Sequence, residues 1–432
     1  MNKDIKNIKL AVVGLGYVGL PLAVAFGETK IAPVLGFDIS KKRIKELKKN
    51  FDRTEEVEKE DLRKSKLKYT FNPKDLKWAN FIIVATPTPI DKFKRPDLSY
   101  IKSASKIVGE NLNPGSIIVF ESTVYPGVSE EVVAPIIEKS SGLKSGIDFK
   151  LGYSPERLNP GDKKHTVDKI VKIISAQDKE TLDTIEKVYG LICKAGLYRA
   201  PNIKTAEAGK VIENIQRDLN IALANELSLI FSKMGLDVRE VMKAAATKWN
   251  IQYYEPGLVG GGCIPKDPYL LTYKARKLGH YPMIILSGRK VNEFMPYYVA
   301  NLIFQVLKEA KKKIKNSRIL VMGLTFKENC KDYRNSRIEK TIKKLKSRGC
   351  KVFGFDPLLK KEEIETFGIK SILNLNKNRE KFDAIILSVI HNQFKNLNPK
   401  IFEKISTLPP ILIDIKGYFK NSKGDNIIYN SL

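Results

Sequence analysis

The sequence predicts an α/β protein in which two doubly wound parallel sheets are joined by a central segment built on one long helix. Three observations predict this. Short, continuous apolar runs alternate with helical stretches in the N-terminal part of the chain. The same alternation returns after about residue 315. Between them, residues 205–233 hold no proline and one glycine, Gly209, with apolar residues at three- and four-residue steps. Apolar runs without alternation belong to strands buried on both faces, hence to a parallel sheet covered by helices. Right-handed crossovers then give an open, doubly wound sheet.

In the first part, residues 9–13, 34–38, 81–85 and 116–120 read as strands, and residues 20–26 and 41–50 as helices. The uncharged run from Leu10 to Gly27 has the length of a membrane span or signal segment. Gly14, Gly16, Gly19 and Pro21 interrupt it, so it reads as strand, turn and helix. In the middle, Val211, Ile215, Leu219, Leu223, Leu227 and Ile230 form a stripe expected to lie on one side of a helix of about eight turns. Such a helix is expected to bridge domains or build a dimer seam. In the last part, residues 319–323, 351–356, 384–389 and 411–415 read as strands of a second, smaller sheet that lacks a full GxGxxG. The expected division is 1–200, 201–305 and 306–432.

The 432 residues carry 76 basic and 48 acidic side chains, a net charge of +28, and are 43% apolar. That apolar content is enough for real cores and excludes a mainly disordered chain. The lysines are scattered, and the longest lysine run is 311–313. The excess therefore reads as a solvated surface, with neither nucleic acid nor membrane as partner. Four cysteines without CxxC spacing and three histidines predict neither a zinc site nor a disulfide framework, and fit a reducing cytoplasm. His165 has no evident partner in the sequence and reads as structural.

Four constellations carry chemistry. Gly14-Leu15-Gly16-Tyr17-Val18-Gly19 follows a strand and opens a helix. The glycines suit a tight turn, a pyrophosphate against the backbone and close helix–strand packing. Asp38, 19 residues past Gly19, is placed to accept from both ribose hydroxyls, which favours NAD over NADP. Gly260-Gly261-Gly262-Cys263-Ile264-Pro265-Lys266-Asp267 puts a thiol near a lysine and a carboxylate after three glycines. A cationic neighbour favours thiolate, and a thiol traps aldehydes. Taken alone, this Cys also fits a small buried residue in a loop. Lys210 and Asn214 share a helix face and together suit an oxyanion. On spacing alone, however, Glu207, Lys210, Glu213 and Arg217 read as an ordinary solvent face. Finally, Glu121-Ser122-Thr123 and Ser154-Pro155-Glu156-Arg157 fall at or after strand ends, where doubly wound sheets bind ligands. Thr123 and Glu156 fit substrate or water contacts there, and equally caps or turns.

Together these motifs resemble the UDP-glucose/GDP-mannose dehydrogenase family over residues 8–420. The resemblance also uses Thr86-Pro87-Thr88-Pro89, Val124, Asn225-Glu226 and Gly323-Leu324-Thr325-Phe326-Lys327-Glu328-Asn329. Residues 213–222, Lys248-Trp249-Asn250, residues 256–261 and residues 332–336 are similar to the UDP-N-acetylhexosamine (GlcNAc or GalNAc) dehydrogenases of the Vi-capsule type. The resemblance implies a four-electron oxidation at sugar C6 with NAD as hydride acceptor, through a thiohemiacetal and thioester on Cys263. It implies an NAD site of Gly14, Gly16, Tyr17, Val18, Gly19, Asp38, Arg43, Thr86, Pro87, Thr88 and Thr123. It assigns oxyanion stabilisation to Lys210 and Asn214, water activation to Asp267 and Thr123, and acid/base or substrate contact to Glu156. Arg157, Leu158, Gly260, Lys327 and Arg334 would join Glu156, Lys210, Asn214 and Cys263 in holding the UDP-sugar. It further implies a cytoplasmic homodimer or higher homo-oligomer that serves surface polysaccharide synthesis. Gly262 stands where the branch usually has His, Glu255 where it tends to have Arg, and Pro265-Lys266-Asp267 looks more like UDP-glucose enzymes. The sugar is therefore open among GlcNAc, GalNAc, ManNAc and glucose. A two-electron hydroxyacid dehydrogenase and a non-catalytic NAD-binding module are the competing readings.

Overall fold

The structure, a computed structural model, describes residues 5–31, 33–157 and 166–432. It has two compact units. One comprises residues 1–213 and 269–281, the other residues 214–268 and 282–432.

The first unit is built on an eight-stranded sheet: β1 (Leu10–Val13), β2 (Val34–Phe37), β3 (Leu67–Thr70), β4 (Phe81–Val84), β5 (Ile117–Phe120), β6 (Lys150–Tyr153), β7 (Lys172–Ala176) and β8 (Leu197–Arg199). Their spatial order is β3-β2-β1-β4-β5-β6-β7-β8, parallel except for the β6–β7 pair. The four strands read from the sequence are the fully buried ones, β1, β2, β4 and β5. The edge strand β3 was not legible, because its Leu-Lys-Tyr-Thr is half exposed and carries no apolar run. The 18-residue uncharged run is strand and helix, the latter Gly19–Gly27. Among the described residues, no helix is long and apolar enough to cross a membrane. The chain reverses its order between β1 and β4, so the carboxyl ends of these two strands form the switch point at which ligands bind such sheets.

The second unit carries a six-stranded, all-parallel sheet: β9 (Arg318–Met322), β10 (Lys351–Phe355), β11 (Lys370–Ser371), β12 (Ala384–Leu387), β13 (Ile411–Asp414) and β14 (Ile428–Ser431). Its order is β11-β10-β9-β12-β13-β14, which is again doubly wound. The 27-residue helix Met283–Glu309 covers one face through Met295, Val299, Ile303 and Leu307.

The long helix runs from Ile203 to Lys233. It starts where the Asn202 side chain accepts from Thr205 N (2.8 Å) and stops before Gly235 (φ +73°), a left-handed turn that glycine adopts without strain. The expected apolar stripe is corrected in part. Val211 and Ile215 are buried, but Leu223 and Ile230 are exposed. The buried face is instead marked by polar residues at helical spacing: Glu207, Lys210, Asn214, Asp218 and Asn225.

Candidate active site

The turn after β1 behaves as its glycines require. Gly14 has φ +91°, and a Cβ there would lie 2.7 Å from the Ala85 carbonyl oxygen. A Cβ on Gly19 would overlap the Gly14 carbonyl, whereas Gly16 faces open space. After β2, Asp38 is fixed from both sides. Its Oδ2 accepts from Leu15 N (3.0 Å) and its Oδ1 from Ser40 N (2.8 Å). Ser40 in turn caps the helix Lys41–Leu47. Arg43 is buried; its Nε donates to Leu15 O (2.9 Å) and its Nη2 pairs with Asp52 (2.8 Å). It therefore braces the glycine turn from below, and its Nη1 is buried without a hydrogen-bond partner.

Thr86-Pro87-Thr88 follows β4 and Thr123 follows β5. The two loops are clamped together. Ser122 Oγ accepts from Thr86 N (3.1 Å) and donates to Thr86 O (2.7 Å), while Tyr153 OH donates to Ser122 O (3.1 Å). The Thr88 hydroxyl is buried without a partner. A positive-φ glycine turn, open space at Gly16, a fixed Asp38 and two orphaned polar groups (Arg43 Nη1 and Thr88 Oγ1) at the switch point fit a dinucleotide. Tyr17 and Val18 lie within the same turn.

Glu121 is not a surface acid. It is buried, with Lys172 Nζ at 2.7 Å and Tyr189 OH donating at 2.6 Å. Burial pushes its carboxyl up to about 7 against the pull of Lys172, and the pairing in turn raises Lys172. Lys172 also donates to Pro155 O (3.0 Å), so this buried pair supports the loop that carries Glu156. Glu156 accepts from Arg157 N (2.7 Å), and Arg157 pairs with Glu213 (3.1 Å) and donates to Val171 O (3.1 Å). Leu158 and His165 lie outside the described residues.

The solvent-face reading of the long helix is overturned. Glu207 is fully buried and accepts from Gly127 N (2.5 Å), Ser129 N (2.9 Å) and Ser129 Oγ (2.7 Å). Lys210 is only 8% exposed, and its ammonium has no hydrogen bond or ion pair among the described residues. Of the four, only Arg217 is exposed.

In the second unit the glycine run makes close backbone contacts. A Cβ on Gly260 would lie 3.0 Å from Asn335 O, and one on Gly261 (φ +89°) 2.7 Å from the Phe326 ring. Gly262 has no atom within 4 Å of such a position, so the space that other side chains would take there is open. Cys263 is exposed, whereas Cys193, Cys330 and Cys350 are buried. Its carbonyl accepts from Lys266 N (3.0 Å) and Asp267 N (2.9 Å), a turn that opens the helix Asp267–Lys277. Asp267 is buried. Asn214 Nδ2 donates to its Oδ2 at 2.6 Å, and Lys266 Nζ lies 3.5 Å from its Oδ1. Thiol, carboxylate and carboxamide are thus held on one turn and one helix, a set suited to nucleophilic capture and water activation.

Lys327 and Arg334 belong to the loop after β9. The Lys327 ammonium lies 5.7 Å from the Phe326 ring centroid, and exposed Arg334 is held by Asp332 through its backbone N–H (3.0 Å) and its guanidinium (2.9 and 2.7 Å). The turn repeats the first sheet's device, because Asp356 at the end of β10 accepts from Leu324 N (2.6 Å) as Asp38 does from Leu15. Here buried His391, at 3.2 Å, contacts that same oxygen of Asp356. Sequence reasoning did not find His391, Lys172 or the role of Glu207. The available signal for Glu207 was a polar residue at the helical spacing of a buried face.

Residues 8–192 match the NAD-binding domain of the UDP-glucose/GDP-mannose dehydrogenase family, residues 204–294 its central domain and residues 320–421 its UDP-binding domain. The chain is 46% identical to the UDP-N-acetyl-D-glucosamine 6-dehydrogenase of Pseudomonas aeruginosa, over 97% of this chain and 99% of that protein. It is also 46% identical to the UDP-N-acetyl-D-glucosamine 6-dehydrogenase of Salmonella typhi, over 98% and 99%. Its fold is similar to that of a UDP-D-ManNAc dehydrogenase from Pyrococcus horikoshii, with a TM-score of 0.88 at 33% identity, covering 98% of this chain and 99% of that one. With all three family domains present in order and the glycine turn shaped for NAD, the chain belongs to the UDP-glucose/GDP-mannose dehydrogenase family.

Proposed function

We propose that the protein oxidises C6 of a UDP-N-acetylhexosamine, UDP-N-acetyl-D-glucosamine first, to the uronate in two NAD-dependent steps. The observation that carries the sugar is the 46% identity, over nearly the whole chain, to two proteins named for that substrate, against 33% to the ManNAc enzyme. The observation that supports the chemistry is an exposed Cys263 on a glycine loop, followed by a buried Asp267 held by Asn214.

Bound NAD supplies the hydride acceptor. In this reading Cys263 adds to the C6 aldehyde, and loss of a second hydride from the thiohemiacetal leaves a thioester. Asp267, with Thr123, orients and deprotonates the water that releases the carboxylate and restores the thiol. Lys210 and Asn214 stabilise the oxyanions, and Glu156 contacts substrate or moves a proton. Arg157, Gly260, Lys327 and Arg334 hold the UDP-sugar. Residues 1–200, 201–305 and 306–432 serve as cofactor, central and UDP-sugar domains. Exposed Leu223, Ile230 and Met234 on and just after the long helix support a homodimer. A cytoplasmic location suits the exposed thiol, and surface polysaccharide synthesis would use the product.

The test is NADH formed per sugar, with excess NAD and limiting UDP-GlcNAc, UDP-GalNAc, UDP-ManNAc or UDP-glucose in parallel. Two per UDP-GlcNAc, falling to at most one in Cys263→Ala, is the expected result. One per sugar in the wild type, or two in Cys263→Ala, would overturn the thioester route. Two with another sugar would reassign the substrate.

A further inference from the structure

The segment that leads into Cys263 is held by a chain of buried polar side chains that the proposed chemistry does not use. Asn225, on the long helix, grips Gly257 by both backbone groups. Its Oδ1 accepts from Gly257 N (2.8 Å) and its Nδ2 donates to Gly257 O (3.0 Å). The same Nδ2 donates to Asn292 Oδ1 (2.8 Å). Asn292 Nδ2 donates to the carbonyl and carboxylate of Asp218 (2.9 and 2.8 Å), and Arg289 donates to that carboxylate at 2.6 Å. Asn225, Asn292, Asp218 and Arg289 are all buried.

The chain has a forced direction. The Asp218 carboxylate only accepts, so Asn292 must turn its NH2 toward it and its oxygen toward Asn225. Asn225 must then present NH2 to Asn292, which leaves its oxygen for Gly257 N. A flipped amide at either position would set donor against donor or acceptor against acceptor in a buried site, where unmade bonds are costly.

Further anchors follow along the loop. Val259 O accepts from Arg337 Nε (3.2 Å), and Gly261 N donates to Asn335 O (3.4 Å). At the far end Asn214, on the same helix as Asn225, holds Asp267. Asn214 and Asn225 are eleven residues apart, roughly 16 Å along a helix axis. One helix thus grips both ends of the loop.

We propose that Asn225 and Asn292, given their direction by Asp218, are positioning residues that hold the Cys263 loop at the height needed for capture of the aldehyde. This rests on the reading of Cys263 as the nucleophile. The loop's register is then set by amide polarity deep between helices.

The test compares Asn225→Ala, Asn225→Asp and Asn292→Ala with Val299→Ala, a core control on the helix Met283–Glu309. Asn225→Asp keeps the acceptor for Gly257 N but cannot donate, so it serves if the alanine variant fails to fold. Three quantities are read: kcat against KM for UDP-GlcNAc, NADH per sugar with hydroxylamine to trap aldehyde, and amide hydrogen exchange of residues 257–266. The asparagine variants are expected to lose about 10²-fold in kcat with little change in KM, since displacement of a reacting group by about 1 Å has that effect. NADH per sugar should fall from two toward one, and exchange across the loop should quicken. Val299→Ala should lower Tm and move none of the three. Asparagine variants that lose Tm but keep kcat, a stoichiometry of two and a protected loop would overturn the proposal. Failure of the Cys263 reading would show separately, as two NADH per sugar from Cys263→Ala.

Discussion

Replacement of Glu207 by alanine tests how the long helix organises the loop after β5. The Glu207 carboxylate is fully buried and accepts from Gly127 N, Ser129 N and Ser129 Oγ. These donors open the helical stretch that begins at Ser129, where a negative charge is favourable. Alanine would leave two buried backbone N–H groups without partners, at about 1–3 kcal/mol each. The expected loss is about 4 kcal/mol, or about 10 °C in Tm for a unit of this size. Differential scanning calorimetry reads it directly, and a Tm within about 2 °C of wild type would refute the reasoning. Glu207→Gln adds a pH arm. Burial lifts the Glu207 carboxyl from 4.5 to about 7 despite its hydrogen bonds. The folded state therefore keeps a proton that the unfolded chain has already released. The stability this gives is fully present below 4.5 and is lost as pH rises to about 7, about 3 kcal/mol in all. Glutamine does not titrate. The wild-type advantage over Glu207→Gln should therefore shrink as pH rises from 4.5 to 7. An advantage that is flat, or that grows with pH, would mean that the three donors outweigh burial and hold the group as an anion.

Two further outcomes are expected. Gly14→Ala should weaken NAD binding by about tenfold or more, because the new Cβ meets the Ala85 carbonyl at a left-handed φ; unchanged affinity by calorimetric titration would reject that role. Lys172→Met should destabilise the first unit by about 3 kcal/mol by stranding buried Glu121, and adding Glu121→Gln should return part of it. A denaturant series in which the double variant is no more stable than Lys172→Met would dismiss the pair as a coupled unit.

The cofactor turn was legible in the sequence because its chemistry is local. Gly14, Gly16, Gly19 and Asp38 are constrained by backbone geometry that a short run of residues specifies, and the structure places them as that geometry requires. The central strands were equally legible, since burial on both faces leaves an unbroken apolar run, whereas β3, β11 and β14 at the margins carry no such signal. The long helix was legible in its length but not in its orientation. Its apolar period pointed to Leu223 and Ile230 as buried, and they are exposed. The tertiary structure turned the polar residues inward instead, because Glu207, Asp218 and Asn225 find donors and acceptors 32 to 80 residues away in sequence. Sequence by itself therefore determined the central strands, the long helix, the NAD turn and the presence of the Cys263 loop. Which polar groups are buried, what each is bonded to, and how the loop before Cys263 is gripped were decided only in three dimensions, because a buried polar side chain is tolerated only where distant partners converge on it.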